Sequence, residues 1–168
     1  MGEAIVTSKS LYRGFETRRA LHRLIEGIKV SKTSFRAVLR VEHEEKEALD
    51  LAKMITRECS HEIGRAVPVL AEVESNPEEI REASVKVGLA YIKKGKSFCL
   101  RINKRGVHNL EKPTPELEYM VGGSVYDALA EKYMVKPMVD LSNPEITIIV
   151  EVLGMKSVVG IVRTEWQS

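Results

Sequence analysis

The alternation of apolar and polar positions predicts the strands of this chain, and apolar positions three and four residues apart predict its helices. The clearest strand pattern covers residues 97–103, where Phe98, Leu100 and Ile102 alternate with more polar neighbours. The same patterns predict strands at 4–7, 35–41, 66–73, 139–141, 146–153 and 157–163, and helices at 14–28, 44–59 and 114–133. A mixture of this kind predicts an α/β protein of the α+β type.

A further helix has the clearest start signal in the chain. Asn76 is suited to cap it, Pro77 fits its first turn, and Glu79 completes a capping box. The order strand–helix–strand–helix–strand before this point is typical of a small ferredoxin-like unit. We therefore expect one unit at 1–75 and a second at 76–168, the latter ending in a hairpin that turns at Gly154.

Composition narrows the class of protein. The chain has 168 residues, 43% of them hydrophobic and 30% charged, which predicts a packed core with a solvated surface. Its apolar runs are too short to cross a bilayer, and its first residues do not resemble a secretion signal. Two distant cysteines exclude a disulfide framework and a four-cysteine zinc site, so we expect a cytoplasmic protein.

Charge is segregated along the chain although the net charge is only +2. Residues 9–40 and 93–112 are both rich in Lys and Arg and poor in acidic residues. A basic face would form if the two stretches met in space, whereas separate basic side chains would merely solvate helix surfaces. The first stretch contributes Arg18 and Arg19, which are candidate RNA contacts on a helix face opposite its apolar stripe.

The second stretch contains the sharper candidate site. The strand at 97–103 leads directly into Lys104-Arg105-Gly106, where glycine permits a turn. The cations and donors of this strand and loop suit phosphate contact, although a solvated loop explains them too. The candidate RNA-binding residues here are Arg101, Lys104, Arg105, Gly106, His108 and Lys112.

Two adjacent glycines in the predicted helix at 114–133 need an explanation, because each costs about 1 kcal/mol relative to Ala. Gly122 and Gly123 serve either close helix–strand packing or close approach of an RNA backbone, with Ser124 donating to a phosphate. No nucleotide-binding glycine motif or histidine pair with metal-ligand spacing is present. We therefore expect no catalytic residue, metal or cofactor.

Residues 76–164 resemble the THUMP domain, an RNA-binding module of tRNA-modifying systems. The resemblance rests on the strand and basic loop at 98–108, on Gly122-Gly123, and above all on Val-Asp-Leu-Ser-Asn-Pro-Glu at 139–145 leading into the strand at 148–152. It implies a mixed sheet, a preceding ferredoxin-like unit, and binding of the tRNA acceptor stem and its single-stranded end.

Many proteins of this family continue into a catalytic domain, whereas this sequence stops at Ser168 after the last hairpin. It thus resembles the stand-alone THUMP proteins that present tRNA to a separate cytidine acetyltransferase, and no membrane or DNA partner is expected. Two alternatives remain open. One is a small tRNA-modifying enzyme using Cys99 or His108; the other is an interaction module whose hairpin at 146–163 pairs with a partner strand.

Overall fold

A computed structural model describes residues 1–167, which divide into two compact units. The first contains residues 1–69 together with the segment that follows Thr164, and the second contains residues 70–164. The mixed α/β class predicted from the sequence is confirmed. No helix among the described residues is both long and apolar enough to span a lipid bilayer.

The first unit has the βαββαβ order of a ferredoxin-like fold. Its elements are β1 (Gly2–Ser8), α1 (Gly14–Leu24), β2 (Ile28–Lys32), β3 (Val38–His43), α2 (Ala48–Glu58) and β4 (Ile63–Pro68). The strands form one antiparallel sheet in the order β2-β3-β1-β4. The apolar faces of β1 and α2 are buried in its core, as the positions of Ile5 and Ile55 show.

The sequence prediction was wrong at β2, which lies where the first helix was expected to finish. The helix ends at Leu24, and Gly27 then turns the chain with a positive φ of 80° into β2. The run at 66–73 was also predicted as one strand. It is divided between β4 and the strand Ala71–Glu74, which belongs to the second sheet.

The second unit combines a mixed five-stranded sheet with two helices. Its elements are β5 (Ala71–Glu74), α3 (Pro77–Tyr91), β6 (Ser97–Arg105), α4 (Thr114–Tyr133), β7 (Met138–Val139), β8 (Ile146–Leu153) and β9 (Lys156–Arg163). The strand order is β5-β9-β8-β6-β7, with β6 parallel to both of its neighbours and the other pairs antiparallel. Helices α3 and α4 pack against each other and against the sheet.

The start of α3 confirms the predicted cap at Asn76 but not the full capping box, because the Glu79 carboxylate accepts from the Asn76 side-chain amide at 2.5 Å while the Asn76 backbone N–H donates to the Glu74 carbonyl oxygen. The Asn76 side-chain oxygen accepts a hydrogen bond from the Glu79 backbone N–H at 2.9 Å, and Pro77 occupies the first turn. Gly95 turns the chain out of the helix region with a φ of 85°. The predicted helix at 114–133 and the predicted hairpin are likewise confirmed, with a tight turn at Gly154.

The position of the hairpin in the sheet bears on the alternative that the protein is an interaction module whose hairpin pairs with a partner strand. Strand β8 is flanked by β6 and β9, so it has no free edge for a partner strand. Strand β9 is covered by β5 from Lys156 to Val159. Strand addition along the predicted hairpin is therefore blocked over most of its length.

Both cysteines are buried, and Cys59 lies in the core of the first unit. Burial, followed by the charges of Glu62 and Glu58, raises the pKa of the Cys59 thiol from 9.0 to about 11. The folded state therefore holds the thiol proton more tightly than the unfolded state does. The contribution of this group to stability is complete below pH 9.0 and is lost as the pH rises towards about 11.

We predict that both thiols react slowly with iodoacetamide in native buffer at mildly alkaline pH, and rapidly in concentrated urea, because the reagent attacks exposed thiolate. Mass spectrometry of the alkylated protein over time measures both rates. Fast native labelling at Cys59 would contradict the burial described here.

Candidate nucleic-acid interface

A groove of about 730 Å³ lies in the second unit between α4 and the strands β6 and β7. It brings together four of the predicted site residues, which come from two distant parts of the sequence. These are Arg101, Gly122, Gly123 and Ser124. The pairing of α4 with β6 places them on opposite walls, so the sequence could indicate each residue but not their meeting.

The two glycines of α4 differ in what surrounds them. A Cβ atom at Gly122 would lie 3.9 Å from the Leu100 Cβ atom, an ordinary packing distance, and a Cβ atom at Gly123 would meet nothing within 4 Å. Close helix packing instead occurs at Gly88 of α3, where a Cβ atom would lie 2.8 Å from Val125 Cγ1. Packing therefore does not explain Gly123, and its bare backbone leaves one wall of the groove open to close approach.

Arg101 joins the strand to the loop after β7. Its Nη2 donates to the Leu141 carbonyl oxygen at 2.7 Å, and its Nη1 lies 3.9 Å from Glu118 Oε1. Glu118 is itself held by the Ile102 backbone N–H, which donates to its Oε2 at 2.8 Å. The Arg101 side chain remains 43% exposed, so a fixed guanidinium with further donors faces solvent beside the groove.

Asp140 shapes the loop whose carbonyl oxygen accepts the Arg101 hydrogen bond. The Asp140 Oδ1 accepts hydrogen bonds from the backbone N–H groups of Asn143 at 2.9 Å and Ser142 at 3.0 Å. These bonds hold the pKa of the Asp140 carboxyl below its ordinary value. Asp140 therefore shapes a turn, and the turn presents Leu141 to the groove.

Lys104 and Arg105 lie within β6 and not in a loop. The Lys104 ammonium donates to the Lys112 carbonyl oxygen at 2.5 Å, so it ties the following loop to the strand end. The Arg105 guanidinium pairs with the Glu151 carboxylate on β8. Glu151 is fully buried, and Arg105 is 27% exposed. Both cations therefore have structural partners, which sequence reasoning did not reveal.

The rest of the predicted basic loop follows this strand end. Gly106 turns the chain with a φ of 76°, and His108 Nδ1 accepts a hydrogen bond from the Leu110 backbone N–H at 3.2 Å. Lys112 is exposed and forms no ion pair with any described residue.

None of these residues lines the groove, and Arg18 and Arg19 lie on α1 of the first unit. Ser124 lines the groove, but its hydroxyl donates to the Met120 carbonyl oxygen at 3.3 Å.

Sequence reasoning missed the exposed apolar rim of the groove. Tyr119 is 86% exposed on α4, and Val139 and Leu141 are more than half exposed on the opposite side. A tyrosine among the polar positions of an amphipathic helix is a signal that could have identified this rim. An aromatic ring, a fixed guanidinium and a bare helix backbone together suit a nucleotide, which offers a stacking face and a phosphate.

Residues 74–162, just over half of the chain, match the THUMP domain family model. The chain belongs to the THUMP domain family. Among curated proteins, none matches it. The family match confirms the resemblance drawn from the strand at 97–103, the paired glycines and the Val-Asp-Leu-Ser-Asn-Pro-Glu segment.

Solved structures share the fold over nearly the whole chain. TrmN from Thermus thermophilus is 21% identical with a TM-score of 0.61, covering 96% of this chain and 45% of that one. PH1313 from Pyrococcus horikoshii Ot3 is 20% identical with a TM-score of 0.59, covering 97% and 55%. A 4-thiouridine synthetase–RNA complex with bound ATP is 19% identical with a TM-score of 0.63, covering 97% and 41%. The chain thus spans about half the length of these proteins, which are similar to it in fold.

Neither candidate catalytic residue lies in an arrangement that activates it. Cys99 is buried on β6, and its thiol faces the Thr147 hydroxyl at 3.8 Å. His108 accepts a backbone hydrogen bond, as described above. Among the described residues, no cluster of His, Cys, Asp and Glu has the geometry to hold a metal ion.

We predict opposite effects of alanine at two helical glycines. Gly123→Ala should raise the free energy of unfolding by up to about 1 kcal/mol, because the new methyl group meets open space and Ala favours a helix. Gly88→Ala should lower it, because the methyl group overlaps Val125. Urea unfolding of both variants measures these changes, and a destabilised Gly123→Ala protein would contradict the open groove wall.

We also predict that Arg105→Ala lowers the free energy of unfolding by about 2 kcal/mol, because the buried Glu151 carboxylate loses a charged partner. Partial exposure of Arg105 keeps this value below that of a fully buried pair. Adding Glu151→Gln to Arg105→Ala should recover part of the loss by removing the buried charge. Lys112→Ala is the matched control and should change little; an equal loss there would refute the structural role of Arg105.

Proposed function

We propose that this chain binds tRNA through the groove of its THUMP domain and presents the acceptor stem and single-stranded end to a modification enzyme. The observation that carries the proposal is the bare backbone of Gly123 opposite the fixed guanidinium of Arg101. A helix retains an unpacked glycine at a cost of about 1 kcal/mol, and close approach of a ligand gives a reason for it.

The composition of the groove supports a single-stranded nucleic acid as the ligand. Tyr119 offers a ring on which a base can stack, and Arg101 offers donors to a phosphate. One protein of similar fold was solved as a 4-thiouridine synthetase–RNA complex. RNA binding by a fold neighbour supports the same ligand class here.

The proposal assigns no catalytic residue to this chain and places the chemistry in a separate enzyme. We propose a tRNA cytidine acetyltransferase as that enzyme. A cytoplasmic location fits this role, since tRNA and its modifying enzymes are found there.

Gly123→Leu tests the groove directly. The leucine should fill open space without disturbing the helix, and it should therefore weaken binding of tRNA by about tenfold or more, since base stacking contributes about 1–3 kcal/mol. The matched control is Ala90→Leu, which adds a similar side chain at an exposed position of α3 outside the groove. Affinity is measured by fluorescence anisotropy with labelled tRNA across a salt series.

A tRNA lacking its single-stranded acceptor end is the comparator. The unaltered protein should bind it more weakly than complete tRNA, and Gly123→Leu should abolish that difference. Equal binding of the two tRNAs by the unaltered protein would refute the proposed use of the groove. A salt slope that falls by about 1 with Lys112→Ala would identify a phosphate contact at the strand end, because each such contact contributes about that much to the slope.

A further inference from the structure

The first unit exposes two aromatic rings three positions apart in the sequence, although the chain has few aromatic residues. Tyr12 is 85% exposed and Phe15 is 72% exposed, and Leu11 next to them is 59% exposed. The chain has only five tyrosines, three phenylalanines and one tryptophan. Placing two of these large rings in water forgoes the burial that such side chains ordinarily supply.

Each ring is paired with an arginine. The Arg36 guanidinium carbon lies 5.8 Å from the centroid of the Tyr12 ring, and the Arg19 guanidinium carbon lies 5.8 Å from that of the Phe15 ring. Both are cation–π distances. We call Tyr12, Phe15, Arg19 and Arg36 the aromatic–arginine platform.

Local hydrogen bonds hold the segments that carry the platform. The Thr33 hydroxyl donates to the Val38 carbonyl oxygen at 2.8 Å and accepts from the Phe35 N–H at 3.1 Å, which shapes the turn that bears Arg36. The Thr17 hydroxyl donates to the Arg13 carbonyl oxygen at 2.8 Å, which holds the first turn of α1, where Phe15 lies. Side-chain to backbone hydrogen bonds therefore fix the two backbone segments that carry the platform.

Charge around the platform is positive and largely unneutralised. Of the cations in residues 9–40, Arg13, Arg23, Lys29 and Arg40 form ion pairs with glutamates. Within the part of the chain that the structure describes, the other five, Lys9, Arg18, Arg19, Lys32 and Arg36, form none. The two arginines that lie against the exposed rings, Arg19 and Arg36, are thus among the cations without a glutamate partner.

We propose that the aromatic–arginine platform is a second RNA site, which stacks unpaired bases on Tyr12 and Phe15 and holds the adjoining phosphates with arginine and lysine. Rings with sequence-tolerant stacking faces, combined with free cations, fit single-stranded RNA. An acidic protein surface would pair with the cations, but it offers no flat bases to stack on the two rings. This inference rests on the proposed function in taking RNA as the ligand, but it concerns a different unit of the chain.

The test compares two probes of equal length and charge: a short labelled oligoadenylate and an abasic ribose-phosphate oligomer. In the Gly123→Leu background, whose filled groove takes no base, the protein should bind the oligoadenylate about tenfold or more tightly, because only that probe can stack on the platform. Tyr12→Ala combined with Phe15→Ala should remove most of this preference. Tyr12→Phe combined with Phe15→Tyr keeps both rings and should retain it.

Met155→Ala is the matched control, since it removes an exposed apolar side chain from the second unit. Thermal unfolding of every variant checks that the fold is intact, which we expect because the altered side chains are exposed. Equal affinity for the two probes, or a preference unchanged by the double alanine variant, would overturn the platform. Association of the platform with an acidic protein in the absence of a base preference would overturn it too.

The two proposals fail separately. If complete tRNA and tRNA lacking its acceptor end bind the unaltered protein equally, while Gly123→Leu still prefers the oligoadenylate, only the groove is refuted. If the acceptor-end effect is present in the unaltered protein but Gly123→Leu shows no base preference, only the platform is refuted.

Discussion

The parallel pairing of β6 with β8 is the constraint on which the candidate groove depends. Two parallel neighbours cannot be joined by a tight turn, so the chain must cross over between them, and α4 is the helix of that crossover. The crossover lays the Gly122–Ser124 face of α4 beside the Arg101 segment of β6. Pairing of the short β7 on the other edge of β6 then positions the loop whose Leu141 carbonyl accepts from Arg101.

The same pairing divides the basic residues of β6 into different roles. Parallel register puts Asn103 opposite Glu151, and the Asn103 amide and Arg105 guanidinium both bind that buried carboxylate. A buried charge is tolerated only with such partners, so Arg105 is committed to the sheet. The Arg101 side chain, four residues earlier, stays 43% exposed beside the groove. Neighbouring cations in one strand thus differ in function because of what the adjacent strand places opposite them.

Local sequence signals predicted those elements whose determinants are local. The helix cap at Asn76, the strand at 97–103, the helix at 114–133 and the Gly154 hairpin were all recognised, because capping, period and turn chemistry act within a few residues. Strand β2 was missed because Leu24, Ile25 and Ile28 continue the helical spacing of α1, although Gly27 lies between them. The run at 66–73 reads as one strand, and only pairing with different partners separates β4 from β5.

The sequence by itself determined the fold class, the family and part of the candidate residues, because motif, composition and period are properties of the chain. Only the tertiary structure decided which of them are available to a ligand. It placed Glu151 against Arg105 and left open space where a Cβ atom of residue 123 would lie. It also left Tyr12 and Phe15 exposed. These outcomes depend on contacts between residues far apart in the chain, and no local pattern encodes which partner a charge or a ring will meet.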